Sequence, residues 1–437
     1  MKPINAGLLG IGTVGGGTFT VLQRNAEEIA RRAGRPIRIT VVADKNLDLA
    51  NKVTQNTCRV TDDAFSVVND PEVDIIIELI GGCGVAKELV LKAIANGKHV
   101  VTANKALLAK HGNEIFQAAQ DKGVMVAFEA AVAGGIPIIK AVREGLAANH
   151  IQWIAGIING TTNFILSEMR DKGHSFDAVL KEAQRLGYAE ADPTFDIEGV
   201  DAAHKITILS ALAFGTPMQF DHAYIEGISK LDAKDIKYAE QLGYRIKLLG
   251  ITRRTPDGIE LRVHPTLIPA KRLIANVEGA MNAVLVQGDA VGSTLYYGKG
   301  AGAEPTASAV IADLVDVTRL HTADPQNRVP HMAFQPSQLV ALPILPMDEL
   351  QSCYYLRLRV QDEPGVLADI TRVLADERIS IDAVIQKEPN EGEYETDLVL
   401  LTHLTREKRI NSAITKLEKL LVVNGKVARI RMETLGK

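Results

Sequence analysis

The segment Ile4-Asn5-Ala6-Gly7-Leu8-Leu9-Gly10-Ile11-Gly12-Thr13-Val14-Gly15 runs from a short apolar stretch into glycines spaced GxGxxG. A helical stripe follows, with Val14, Thr18, Val21, Leu22 and Ile29 on one face of a segment expected to stay helical from Thr13 to Arg32. A strand that turns on glycines into a helix lets a pyrophosphate approach backbone N–H groups at the positive helix end. Gly10, Ile11, Gly12, Thr13, Val14 and Gly15 are therefore expected to hold a dinucleotide. Pro36 then precedes Ile37–Ala43, a β-branched run that reads as the second strand. Asp44 at its end suits a ribose 2′-hydroxyl, whereas Lys45 beside it suits a 2′-phosphate, so NAD and NADP both remain open.

Working outward, apolar runs at Asp74–Ile80, His99–Thr102 and Val124–Ala127 alternate with helical stretches at Ala86–Ala95 and Glu114–Gln120. Strands alternating with helices imply a parallel sheet covered on both faces, here spanning residues 1–130. The middle, 131–320, is less regular. It holds strand candidates at Ile151–Ile158, Leu261–Leu267 and Ala283–Gln287, and an unusually apolar helix at Val200–Phe214. A further helix at 305–320 is expected to complete the first unit. Prolines at 325, 330, 336, 343 and 346 mark 321–350 as a linker. Residues 351–437 then read strand–helix–strand–strand–helix–strand, from Tyr354–Val360 through Glu393–Thr402 to Lys426–Glu433, the order of a small ferredoxin-like α+β domain.

Composition bounds the function. The chain has 437 residues, 46% hydrophobic and 23% charged, with a formal net charge of −4, which excludes a disordered or collagen-like chain. Mixed charges offer no electrostatic footprint for nucleic acid or an anionic membrane. Cys58, Cys83 and Cys353 are far apart and form neither a disulfide framework nor a CxxC zinc site. No apolar stretch is long enough to span a bilayer, and the N-terminus lacks a signal-peptide pattern, so a cytoplasmic enzyme is expected.

The most chemical stretch is Ala183-Gln-Arg-Leu-Gly187-Tyr-Ala-Glu190-Ala-Asp192-Pro-Thr-Phe-Asp196-Ile-Glu198-Gly199-Val-Asp201-Ala-Ala-His204-Lys205. Acids crowd a helix start at which Asp201 and Lys205 share one face. Ile208 and Leu212 continue that face, so the pair is expected to look inward rather than to solvent. Burial lowers a lysine pKa and carboxylates raise it, the tuning that an acid/base lysine needs. The competing reading of the residues alone is an ordinary surface ion pair. His204 is read as a packed helix residue rather than a second base.

This stretch resembles the signature of homoserine dehydrogenases, and every specified position is present. Other family-like blocks stand in order: Gly7–Gly17, TANK at Thr102–Lys105, FEAAVAGGIPI at Phe128–Ile138, GIINGTTNFIL at Gly156–Leu166 and YGKGAGAEPTASAV at Tyr297–Val310. The resemblance implies an α/β protein: a Rossmann-type doubly wound parallel sheet, an α+β catalytic and dimerisation domain, and a C-terminal regulatory domain. It implies Lys205 as the acid/base lysine, Glu190 and Asp201 as substrate-binding acids, and Asp196 as an acid of the same site. By the same resemblance Lys105 lies near the nicotinamide and the substrate, and Gly187 and Gly302 contact an NAD or NADP cofactor. Glu129, Val132, Gly134 and Ile136 match a monovalent cation site for sodium, built largely from carbonyl oxygens.

At Asp362-Glu363-Pro364-Gly365-Val366-Leu367 the C-terminal unit resembles an ACT domain, whose usual effector in this family is threonine. The expected partners are thus a small-molecule substrate, a threonine effector and further copies of the chain in a homodimer or homotetramer. The family reading is monofunctional, with no fused kinase. Two other readings compete: the same fold acting on another amino-acid alcohol, and a non-catalytic sensor. The intact Glu190, Asp201 and Lys205 set argues against the sensor, which has no need of a proton acceptor.

Overall fold

The computed structural model describes residues 2–387, 389 and 394–436. Six strands form the first sheet: β1 (Ile4–Leu9), β2 (Ile37–Ala43), β3 (Arg59–Thr61), β4 (Ile75–Glu78), β5 (His99–Thr102) and β6 (Val126–Ala127). Their order is β3-β2-β1-β4-β5-β6 and all pairings are parallel, which puts a crossover between β1 and β4 at the middle of the sheet. The strands are apolar on both faces because both are covered. On β4, Ile75 and Ile77 join Phe19, Leu22, Val310 and Leu314 on one side, while Ile76 joins Leu89, Leu107 and Ile115 on the other. Val310 and Leu314 belong to the helix Ala303–Leu320, which packs on this sheet although it lies far along the chain.

The expected single helix over Thr13–Arg32 is two, Thr13–Arg24 and Ala26–Ala33, broken at Asn25 where the backbone leaves helical geometry (φ −108°, ψ 19°). The apolar stripe continues across the break, which is why periodicity alone reads through it. Glycine spacing is decisive in the turn before the first of these helices. A Cβ on Gly15 would lie 2.0 Å from the Gly10 carbonyl oxygen, and one on Gly17 would lie 2.6 Å from that of Ala303.

The middle of the chain builds an antiparallel sheet from β7 (Ile151–Ile157), β9 (Tyr244–Thr255), β10 (Gly258–Pro269), β11 (Met281–Gly288) and β12 (Gly292–Lys299), with β8 (Tyr224–Ile225) added beside β10. The helix Val200–Phe214 is buried along nearly its whole length in the core that includes Val263, Leu267 and Val284 of this sheet. Its uniformly apolar sequence is the reason. The strand β9 carries little sequence signal. Lys247, its fourth residue, is fully buried, donating to the Val277 carbonyl at 2.6 Å and to Asn163 Oδ1 at 3.1 Å.

Residues 321–350 contain three single 3₁₀ turns and one isolated β-bridge, Ile344 to Ile259, with Ile259 N donating to Pro343 O and Leu345 N to Ile259 O, both at 2.9 Å. The C-terminal unit comprises β13 (Gln351–Gln361), β14 (Ile381–Gln386), β15 (Glu395–Thr402), β16 (Thr405–Arg406) and β17 (Val423–Met432), ordered β17-β13-β15-β14. The helices Val366–Asp376 and Glu407–Leu417 pack on it to close a core around Tyr354, Leu356, Ile370 and Ile410. Glu393, placed in a strand by the sequence pattern, lies outside the described residues. The last strand reaches past its own unit: β17 pairs in parallel with β10 at Thr266–Arg431 and Leu267–Met432. The C-terminal unit and the middle domain thereby share one sheet.

Candidate active site

Helix Val200–Phe214 begins at Gly199, whose left-handed backbone (φ +83°) turns the chain sharply out of the short helix Thr194–Ile197. Asp201 then enters the first turn and Lys205 follows one turn on. Their side chains meet at 2.7 Å, and the Lys205 ammonium also donates to the Ile158 carbonyl at 2.7 Å. Asp201 is 3% exposed and Lys205 9%, so the pair is interior, as the apolar continuation of that face implies.

Lys105 comes from the first sheet. It heads the helix Lys105–Lys122, whose N-cap, Asn104, accepts from Leu107 N at 3.1 Å. Asn104 in turn donates to the Gly82 carbonyl at 2.7 Å, and the buried Glu78 carboxylate takes the Thr102 hydroxyl at 2.7 Å and Ile80 N at 2.9 Å. This bracket at the carboxyl ends of β4 and β5 carries Lys105 across the domain boundary, 3.0 Å from the second oxygen of Asp201. One carboxylate thus sits between two ammonium groups from two domains.

The electrostatics follow from burial and these pairs. Burial opposes the charge on Asp201, yet the two lysines outweigh it and hold its carboxyl well below the usual range. Burial dominates at Lys205 and lowers its pKa despite Asp201. At the less enclosed Lys105, attraction to Asp201 dominates and the pKa rises. Burial, followed by the charge of Asp201, pushes Asp196 upward. The Asp196 carboxylate accepts from Asn159 Nδ2 at 2.7 Å and from Thr161 Oγ1 at 3.0 Å. Glu190 lies in the exposed loop after the helix Phe176–Arg185, near enough for its charge to support the Lys105 ammonium. His204 is packed between the rings of Phe195 and Phe220 (centroids 5.3 and 4.3 Å), and burial lowers it to about 4, so it is an uncharged core residue.

The dinucleotide turn borders a cleft of about 590 Å³ lined by Gly10, Gly12, Asp44, Lys45, Asp62, Leu79 and Ile80. Gly12 has open space where a side chain would stand, whereas Gly10 (φ +92°) and Gly15 are packed against backbone. Asp44 accepts from Ile11 N at 2.7 Å and Asn46 N at 2.8 Å, fixing the turn to the end of β2, and Lys45 donates to the Asp62 carbonyl at 2.9 Å. Gly302 (φ +122°) precedes the helix that packs on Gly17, and Gly187 (φ +78°) lies beside Tyr188, whose carbonyl receives Thr161. This open glycine cradle and cleft suit a dinucleotide. Away from this cleft, the buried Glu129 carboxylate accepts Ile139 N at 2.8 Å and Lys140 N at 2.9 Å. Among the described residues no hydrogen bond reaches the carbonyls of Val132 and Gly134, while that of Ile136 accepts from Ile138 N.

Sequence reasoning did not single out Asn159 or Thr161, nor the Ile158 carbonyl. The sequence placed Asn159 in the family-like block Gly156–Leu166 and ahead of Gly160-Thr161-Thr162, an N-cap pattern that says nothing of where its amide nitrogen points.

Comparison with known proteins places the fold and the family. A homoserine dehydrogenase NAD-binding domain model matches residues 10–129, a homoserine dehydrogenase model matches 137–315, and an ACT domain model matches 354–422. The chain is 63% identical over 436 residues to a homoserine dehydrogenase of Pseudomonas aeruginosa, covering 100% of both. A crystal structure of a homoserine dehydrogenase from Thiobacillus denitrificans is 71% identical, with a TM-score of 0.96 over 100% of this chain and 99% of that one. A hyperthermophilic archaeal homoserine dehydrogenase in complex with NADPH is 26% identical, with a TM-score of 0.62 over 72% of this chain and 98% of that one. With its Rossmann-type sheet, its buried lysine–aspartate pair and its ACT domain, the chain belongs to the homoserine dehydrogenase family, oxidoreductases acting on a CH–OH group.

Proposed function

We propose that the chain interconverts L-homoserine and L-aspartate 4-semialdehyde, with Lys205 as proton acceptor and donor. A nicotinamide dinucleotide bound at the Gly10–Gly15 turn supplies the two-electron acceptor for the hydride that leaves the alcohol carbon. The chain's own task is then to bind a cationic amino acid and to move one proton. Asp201, Asp196 and Glu190 are the acceptors for the substrate ammonium. Lys205 takes the hydroxyl proton as the carbonyl forms, and returns it in the reverse direction. When the substrate ammonium competes for Asp201, Lys205 loses part of the anion that keeps it charged. Burial then favours its neutral form, the form that a base requires.

The observation that carries this reading is the single buried carboxylate shared by Lys205 and Lys105, because it joins the nucleotide domain to the acid-rich segment. Homoserine-dependent reduction of NAD and NADP tests it. Lys205→Ala is expected to lose about 10²-fold or more of wild-type turnover. Turnover that survives the substitution would remove Lys205 from the proton-transfer role.

NADP and NAD are both proposed as cofactors. Lys45, beside the cleft, supports NADP, while engagement of both Asp44 oxygens by backbone N–H groups weakens its claim as a ribose ligand. Sodium is proposed at Glu129, Val132, Gly134 and Ile136, supported by the Val132 and Gly134 carbonyls, which receive no hydrogen bond among the described residues. Loss of activity on replacing sodium by choline salts tests this assignment. Threonine is proposed as effector at the C-terminal domain. It is supported by the Gly365 turn (φ +99°) at the head of the helix Val366–Asp376 and by the sheet shared with the catalytic domain. Millimolar threonine that changes neither activity nor melting temperature would end that proposal. The reaction belongs to aspartate-derived amino-acid biosynthesis, in the cytoplasm, leading to threonine, methionine and isoleucine. A homodimer or homotetramer is supported by half-covered apolar residues on the middle sheet, including Trp153, Leu285 and Leu295.

A further inference from the structure

Asn159 lies two residues beyond β7 and caps the helix Gly160–Lys172, its Oδ1 accepting from Thr162 N at 2.8 Å. That bond fixes which way the amide points. The nitrogen is left facing the acids, and it donates at 2.7 Å to Asp196 Oδ1 and at 2.8 Å to Asp201 Oδ2. The residue before it, Ile158, supplies the carbonyl that holds the Lys205 ammonium. Asn159 is buried at 6% exposure, and each of its polar atoms is used. Two carboxylates meeting at one amide repel each other, and without the amide one of them gains most by taking up a proton.

We propose that Asn159 is the positioning residue of the substrate site, its one amide nitrogen spacing Asp196 and Asp201 and aiming both at the substrate ammonium. The proposal rests on the reading of those two acids as the ammonium acceptors. Two hydrogens on a planar nitrogen diverge by about 120°, so each carboxylate receives one bond and neither is free to rotate onto the other. Asp201 is supported independently by Lys205 and Lys105, so it stays ionised when the amide is removed. Among the described residues Asp196 has only Asn159 and Thr161 as donors, and burial, followed by the charge of Asp201, already raises its pKa. The charge of Glu190 reaches Lys105 from the neighbouring loop, and burial lowers His204, one turn along from Asp201, to about 4.

Asn159→Ser and Asn159→Asp keep a residue that caps helices well but withdraw the amide donor. Both are expected to melt within about 3 °C of wild type. Both are expected to lose about tenfold or more in kcat/KM for homoserine. The acid limb of the pH profile should move upward by about half a unit or more, further in Asn159→Asp because it adds a third carboxylate. In an Asp196→Asn background the same substitutions should leave the acid limb unmoved, which separates Asp196 from His204 as the titrating group. Wild-type kcat/KM and an unmoved profile in either variant overturn the proposal. A loss of activity that is equal in the Asp196→Asn background, or loss of fold in both variants, also overturns it by making the role of Asn159 purely structural. Wild-type turnover of homoserine, measured first, tests the parent reading separately.

Discussion

Lys205 and Lys105 share one carboxylate but are tuned in opposite directions, because Lys205 is enclosed and Lys105 keeps about a third of its side chain exposed. A lowered pKa raises the neutral fraction of Lys205 at any pH below the ordinary lysine value. Homoserine oxidation should therefore rise with pH through a limb lying below 10.5, the ordinary lysine value. Aldehyde reduction, which needs the charged form, should fall over the same window. Initial rates in both directions across pH 6–11 check this, and a shared limb at or above the ordinary lysine value would contradict it. Lys205→Arg should keep the ion pair to Asp201 yet remain inactive, because a guanidinium does not give up its proton in this range.

At the scale of elements, the glycines of the nucleotide turn have separable roles. Gly15 packs against the Gly10 carbonyl, so Gly15→Ala must open the turn and is expected to cost about 1–3 kcal/mol of stability. Gly12 has nothing within reach of an added Cβ, so Gly12→Ala should melt close to wild type while raising the cofactor KM about tenfold. Thermal melts paired with cofactor titrations distinguish the two. A second element-scale prediction concerns β5. His99 begins that strand, accepts from Met125 N at 2.9 Å, and burial followed by the nearby His321 lowers it to about 3. Its folded pKa lies below the unfolded 6.5, so the unfolded chain binds the extra proton between these values. Stability contributed here is complete above pH 6.5 and is lost as pH falls toward 3. Asn carries an acceptor near the position of Nδ1, and His99→Asn should flatten the decline in melting temperature between pH 6.5 and 4 relative to wild type. An unchanged slope would exclude His99 from the acid transition.

At the scale of the whole molecule, the junction between β10 and β17 is both a backbone pairing and a charged core. Arg431, 1% exposed, donates to both oxygens of Glu407, to Glu226 at 2.7 Å and to the Tyr224 hydroxyl at 2.9 Å. Arg262, equally buried, is paired with Glu260 and Glu433. Such pairs add little over an apolar pair of the same shape, but breaking one strands a buried charge. Arg431→Met is expected to cost about 3–5 kcal/mol and to loosen the C-terminal domain from the catalytic one. Glu226 lies next to Gly227 and Ile228, and Ile228 N donates to the Ile197 carbonyl at 2.8 Å, directly after Asp196. Hydrogen exchange in Arg431→Met should therefore speed up at residues 226–228 as well as along β17. Acceleration confined to β17 would show that the junction does not reach the active-site segment.

Local pattern was sufficient for the Gly10–Gly15 turn, the second strand, helix Val200–Phe214 and the strand–helix order of the C-terminal unit. Each rests on contacts close in sequence or on a single periodicity, and the acid-rich segment before Lys205 was legible in the same way. Strand β9 was not legible, because buried Lys247 interrupts its apolar run and its compensation comes from Asn163 and Val277, remote in sequence. The helix break at Asn25 was hidden for the opposite reason, since the stripe continues through it. Only the tertiary structure brought Lys105 to Asp201, gave Asn159 two carboxylates to bridge, and joined β17 to β10. Each of these depends on partners from separate elements, and one-dimensional spacing carries no information about which buried charges will find each other once the sheets close.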